Sequence, residues 1–195
     1  LVVHPDESER VNTLLTHIQA YLYQKKEWSP YWENSFAPAL CNRIDRNTGG
    51  IVIAAKTAEG LRVMNQKIKD RELEKRYLCV IHGTMPQRKG KLEGYLWKDE
   101  VKKQVYVRSK PVPGAKTAVT LYRTLAVRNG LSLVECELVT GRTHQIRAQF
   151  SASGQLLLGD GQYGRARDHR THGRHGPALY AYRLSFRFRH DAGPL

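Results

Sequence analysis

Two β-rich runs, residues 118–127 and 131–139, flank Arg128-Asn129-Gly130. Asn-Gly accepts the positive φ values that a tight hairpin turn demands, so this stretch predicts an antiparallel pair. Around it the apolar spacing changes along the chain. Val11, Leu14, Leu15, Ile18, Tyr21 and Leu22 recur at helical intervals over 11–23. Residues 28–38 are aromatic and broken by proline, and read as a loop. Residues 51–55 read as a strand, and Thr57 can cap a helix running to about Lys69 with Leu61, Met64 and Ile68 inward. Residues 77–81 read as a buried strand closed by Gly83. Residues 84–116 are rich in Lys, Gly and Pro, with short strands such as 104–107. Thr143 opens a short helix to about Ser151, residues 165–176 form a loop, and 179–188 alternate as a last strand. No βαβ rhythm links these pieces. The expected class is α+β, with a mixed, largely antiparallel central sheet flanked by helices and loops. At 195 residues it suits a single domain over 1–195.

Charge narrows the function. Lys and Arg number 32 against 18 Asp and Glu, a net +14, which favours a polyanionic partner such as nucleic acid. No apolar run reaches eighteen residues, and the first residues carry no signal-peptide pattern. Cys41, Cys79 and Cys136 form no CxxC pair and fit buried thiols in a reducing compartment. The chain does not begin with Met, so a longer parent protein is expected.

Four constellations could carry chemistry. Arg43-Ile44-Asp45-Arg46-Asn47-Thr48-Gly49-Gly50 sets one carboxylate between arginines at a strand-to-turn junction. Neighbouring cations favour the ionised carboxylate, which can act as nucleophile or base. An Asx-capped turn with solvated arginines reads equally from the residues. Thr140-Gly141-Arg142-Thr143-His144-Gln145-Ile146-Arg147 joins a strand end to a helix start, where exposed amides suit an anion. The alternative is an amphipathic helix with Ile146 buried. Lys75-Arg76-Tyr77 brings a basic pair and a stacking ring to a sheet end, or simply a core tyrosine. Gly159-Asp160-Gly161-Gln162-Tyr163-Gly164 is a glycine-bracketed turn. His169, His172 and His175 stand among Arg165, Arg167, Arg170 and Arg174. Four arginines would repel a divalent cation, so a basic loop facing RNA is preferred over a metal tract.

In this order the motifs resemble those of the RluA-type pseudouridine synthases: Arg-Leu-Asp-x-x-Thr-Ser-Gly, Lys-x-Tyr, Thr-Gly-Arg-Thr-His-Gln-Ile-Arg and Gly-Asp-x-x-Tyr-Gly. Asn42, Ile44 and Gly49 stand where His, Leu and Ser are usual. The resemblance implies isomerisation of uridine to pseudouridine in ribosomal or transfer RNA. It implies Asp45 as nucleophile, Arg147 as the partner of its carboxylate, and Tyr77 against the uracil. Arg43, Arg46, Thr48, Lys75, Arg142, Thr143, His144 and Gln145 are the expected RNA contacts. It further implies no metal, no organic cofactor, and a first strand and possible small RNA-binding domain upstream of residue 1; a cytoplasmic monomer is the default expectation.

Overall fold

Thr13 precedes the first apolar-periodic turn, and in the computed structural model of the chain it caps a helix. The structure describes residues 1–46, 48–164 and 177–186. Helix α1 spans Leu14–Gln24, and Thr13 and Thr16 cap it reciprocally. It therefore starts three residues later than the apolar spacing proposed. Short strands β1 (Ala39–Leu40), β2 (Gly49–Gly50) and β3 (Ala54–Ala55) follow. Helix α2 (Ala58–Lys69) is capped by Thr57, whose Oγ1 accepts the Gly60 N–H. Strands β4 (Leu73–His82), β5 (Lys89–Asp99), β6 (Gln104–Arg108), β7 (Lys116–Arg128) and β8 (Leu131–Leu138) come next. Helix α3 (Gln145–Ala152) and β9 (Leu179–Phe186) complete the order.

Contacts gather the described residues into two compact units. One takes in Leu1–Arg46 and Ile51–Leu73; the other takes in Gly49, Gly50 and Glu74–Ser185. In the first, β1 and β3 pair antiparallel, Ala39 opposite Ala55. The expected strand over 51–55 shrinks to Ala54–Ala55, because a side chain takes over the pairing, as described below.

The second unit is built on a seven-stranded sheet in the order β2-β9-β4-β8-β7-β5-β6. The pairs β4·β8, β7·β8, β5·β7 and β5·β6 are antiparallel, while β2 lies parallel to β9. The mixed, largely antiparallel α+β architecture is as expected. Asn129 and Gly130 both take positive φ, 52° and 73°, and form the two-residue turn between β7 and β8.

Strand β5 is the element the composition hid. Its eleven residues lie in the stretch 84–116, whose Lys, Gly and Pro content predicts only short strands, and Gly90 and Gly94 fall inside it. These glycines have a packing role: a Cβ on Gly90 would lie 2.5 Å from the Tyr122 hydroxyl, and one on Gly94 would lie 2.8 Å from Val107.

Alternation along β4, β7 and β8 puts Tyr77, Cys79, Ile81, Tyr122, Val134 and Cys136 on one buried face. There α3 adds Ile146, Ala148 and Phe150 to the core, with Phe150 edge-on to Tyr122 at 6.2 Å. The buried Sγ atoms of Cys79 and Cys136 lie 3.7 Å apart as free thiols. Among the described residues no helix is long and apolar enough to cross a membrane. The His169–His175 tract lies outside the described residues.

Candidate active site

Asp45 sits half-buried in an irregular segment whose neck is closed by its own neighbours. The Cys41 N–H donates to the Ile53 carbonyl at 2.8 Å. The Asn42 carboxamide continues that pairing: Oδ1 accepts the Ile53 N–H at 2.7 Å, and Nδ2 donates to the Ile51 carbonyl at 3.3 Å. An amide side chain thus stands in for a strand backbone. This is what Asn42 brings where a His is more usual, and it explains why residues 51–53 are not themselves strand. A loop fixed at its base can hold a carboxylate at a defined position.

Of the two flanking arginines, Arg43 is exposed, while Arg46 reaches back to Asp6 at 2.6 Å and to the Ser8 hydroxyl. That bond, with those from Ser8, holds the Asp6 carboxyl well below the usual carboxylate range. Arg46 is therefore committed in part to an exposed ion pair, a weaker candidate for phosphate than its sequence position suggested. Thr48 is half-buried and its Oγ1 is enclosed without a hydrogen-bond partner. Such a hydroxyl does not face solvent, so it is not placed for the RNA contact expected of it. Gly50 takes φ +119°, and a Cβ there would lie 2.1 Å from the Ala181 carbonyl oxygen, so β9 requires glycine. Gly49 is crowded only by the Tyr180 ring, which lies where the family's Ser would carry its Cβ.

The Lys75-Arg76-Tyr77 motif divides between the two faces of β4. Arg76, counted as one of a basic pair, is held by carboxylates from Glu74, Glu135 at 2.9 Å and Glu137 at 3.2 Å. Glu135 also binds Arg123 and the Tyr182 hydroxyl. On the other face, Tyr77 is buried in the body of β4 rather than at its end, opposite Cys136. Lys75 is half-buried, and desolvation pulls its ammonium pKa down. A Cβ on Gly141 would lie 3.1 Å from its Nζ, so Gly141 leaves room for the lysine and links two motifs far apart in sequence.

The Thr140–Arg147 segment is largely a scaffold. The helix begins at Gln145 rather than Thr143, after His144 in the left-handed region at φ 53°. Gln145, expected at RNA, is 2% exposed. Its Oε1 accepts the Thr140 hydroxyl at 2.9 Å and the Arg142 N–H at 3.0 Å; its Nε2 donates to Val119 O and Thr120 Oγ1. These bonds pin the turn to β7, and burial removes Gln145 from the interface. Arg142 and Thr143 are exposed, with Arg142 Nε on the Thr117 carbonyl. His144 Nδ1 meets the Tyr163 hydroxyl at 3.0 Å.

Arg147 carries the heaviest local investment. Its Nε and Nη2 form a two-pronged pair with Asp160, both at 2.7 Å, and Nη2 also reaches Gln162 Oε1 at 3.0 Å. The Tyr163 ring lies 4.9 Å from the guanidinium carbon. The partner within this unit is thus Asp160, from the fourth motif, which was read as a turn and not assigned a role. Signal for it was present in Gly-Asp-x-x-Tyr-Gly, but nothing in its spacing said which cation it would meet.

Similarity to known proteins gives the family. A family model described as RNA pseudouridylate synthase matches residues 1–152. Ribosomal large subunit pseudouridine synthase D of Zymomonas mobilis is 34% identical over 167 residues, 86% of this chain and 51% of that protein. The uncharacterized RNA pseudouridine synthase MG370 of Mycoplasma genitalium is 33% identical over 193 residues, 95% of this chain and 58% of that protein. The chain thus spans a little over half the length of these curated relatives. The solved human RNA pseudouridylate synthase domain containing 1 superposes with a TM-score of 0.71 at 21% identity, covering 94% of this chain and 73% of that one, a likeness of fold. A glycine-bound motif turn, a buried Arg–Asp clamp and a matching family model over most of the length converge on one conclusion: this chain belongs to the RNA pseudouridylate synthase family, of the RluA type.

Proposed function

We propose that this chain isomerises uridine to pseudouridine within structured RNA, ribosomal or transfer, with Asp45 as the acting carboxylate. The observation that carries the reading is Asp45 itself: a half-buried carboxylate in the family's motif, on a loop held at its neck by Cys41, Asn42 and Ile53. The chain is read as one catalytic domain, and the protein as a cytoplasmic monomer acting on RNA without metal or organic cofactor.

A uridine stacked in a helix cannot present its ribose carbon to a side chain, so the target nucleotide flips out. The basic surface holds flanking phosphates, with Arg43, Arg142 and Thr143 the exposed contributors. Asp45 attacks C1′ of the ribose or removes a neighbouring ribose proton. Either route breaks the N1–C1′ bond and leaves the pair on the base. The uracil turns and C5 bonds to C1′, which releases the Asp45 carboxylate from C1′ on the first route or takes the abstracted proton back at C2′ on the second; the C5 proton then leaves and N1 gains one. Tyr77 packs against the base. Arg147, whose guanidinium is fixed by Asp160 and lies against the Tyr163 ring, is the catalytic cation of this reading.

Asp45→Asn preserves size and removes charge. Tritium release from RNA labelled at carbon 5 of uridine should vanish, while RNA binding persists. Release near the wild-type rate from that variant would falsify the assignment. A protein that only binds RNA would release none in either form.

A further inference from the structure

Within the first unit, exposed aromatic side chains are concentrated in one stretch of the sequence. Between positions 21 and 32 four rings face solvent: Tyr21 is 57% exposed, Tyr23 50%, Tyr31 85% and Trp32 53%. Single exposed apolar residues are ordinary, but a run of large rings marks a contact surface. Tyr31 and Trp32 are not left out by disorder of the backbone. The Tyr31 N–H donates to the hydroxyl of buried Ser29 at 3.2 Å, and the Trp32 N–H to its carbonyl at 3.4 Å. The turn follows directly on the end of α1, where Glu27 N–H bonds the Leu22 carbonyl. It displays the two rings on a fixed support, at low entropic cost to a partner that stacks on them.

Charge says which partner. Lys25 and Lys26 are exposed in the same stretch, and the Lys25 ammonium lies 5.8 Å from the centre of the Tyr21 ring. Of the nearby acids, Glu27 is paired with Lys56 and Glu33 is exposed beside Trp32, so Lys25, Lys26 and Lys56 still exceed them by one charge. Rings interleaved with cations fit a strand that offers flat bases and phosphates together. We infer that Tyr31 and Trp32, with Lys25 and Lys26, form a stacking platform for single-stranded RNA flanking the modified nucleotide. This rests on the isomerase reading above, since it names a second contact for that substrate. Stacking reads no base edge, so the platform holds RNA without choosing its sequence.

The test uses a short fluorescein-labelled RNA of adenosine and cytidine only, which offers no uridine to isomerise. Binding is followed by anisotropy and by quenching of tryptophan fluorescence. The Tyr31→Ala/Trp32→Ala protein should bind this strand roughly tenfold more weakly or worse. Its melting temperature should stay near wild type, because the rings contribute little burial. Tyr31→Phe/Trp32→Phe, which keeps stacking, should bind as wild type. Lys25→Glu/Lys26→Glu should weaken binding and flatten its salt dependence. Wild-type affinity in the alanine pair overturns the platform. So does concentration-dependent self-association that the alanine pair abolishes, since the surface would then join copies of the chain. If wild-type protein releases no tritium from uridine-containing RNA yet binds the uridine-free strand through these rings, the isomerase reading fails and the platform stands. Normal release with ring-independent binding has the opposite meaning.

Discussion

Asp160→Asn asks what holds Arg147 in the core. The two side chains are 7% and 1% exposed, and two N–H donors of the guanidinium meet two carboxylate oxygens at 2.7 Å. Oδ1 additionally accepts the N–H groups of Gln162 at 3.1 Å and Tyr163 at 3.3 Å. Asparagine has the same shape but replaces one oxygen by an NH2, which turns a donor toward donors. The guanidinium then stays buried in the first turn of α3, where the positive end of the helix also disfavours it. Removing one partner of such a pair costs about 3–5 kcal/mol. For a chain of this size each kcal/mol moves the melting temperature by about 2–4 °C, so Asp160→Asn should melt roughly 6–20 °C lower. Circular dichroism melts at neutral pH measure it. Arg147→Met should be costly for the converse reason, stranding Asp160, and the double variant should lose less than the sum of the singles because both charges go. A melting point within a degree or two of wild type for Asp160→Asn would refute the argument. So would strict additivity in the double variant.

Other outcomes follow from the same contacts. Gly50→Ala should lose most soluble folded protein or activity, since its Cβ meets the β9 backbone, whereas Gly49→Ser should be tolerated by rotation of the exposed Tyr180 ring; purification yield and tritium release separate the two. Gln145→Ala should destabilise by about 1–3 kcal/mol in urea unfolding, because it strands buried partners on β7 and in the Thr140 turn. Burial of Glu135 disfavours its charge, but the Tyr182 hydroxyl, Arg123 and Arg76 outweigh that and lower its pKa. A depressed carboxyl pKa stabilises above the unfolded value of about 4.3 and loses that contribution as pH falls through the folded value. The stability gap between wild type and Glu135→Gln should therefore narrow in melts taken below about pH 4. A gap independent of pH would contradict the assignment.

Local chemistry was legible in the chain. Asn129-Gly130 made its hairpin, and Thr57 its helix cap, because a turn's φ values and a cap's hydrogen bond depend on residues one to three apart. The four motifs likewise point to the family, and the +14 charge to a polyanionic partner. Strand β5 was missed because propensity counts its glycines as breaks and cannot see that Tyr122 fills the space beside one of them.

The pairing of polar groups was not legible. Asn42 looked like part of a polar knot and is a surrogate strand. Arg76 looked like half of a basic pair and is enclosed by three carboxylates on the face away from Tyr77. Gln145 looked like an RNA contact and is a buried fastener. Asp160, read as a turn residue, neutralises Arg147 thirteen positions earlier. By itself, then, the sequence determined the Asn129-Gly130 turn with its strand pair, the Thr57 cap and the family to which the chain belongs. Tertiary structure decided which charges and amides are spent on holding the chain and which remain at the surface for a ligand. The reason is physical: turn and cap energies are fixed by neighbours along the chain, whereas burial and charge compensation exist only after distant segments close on one another.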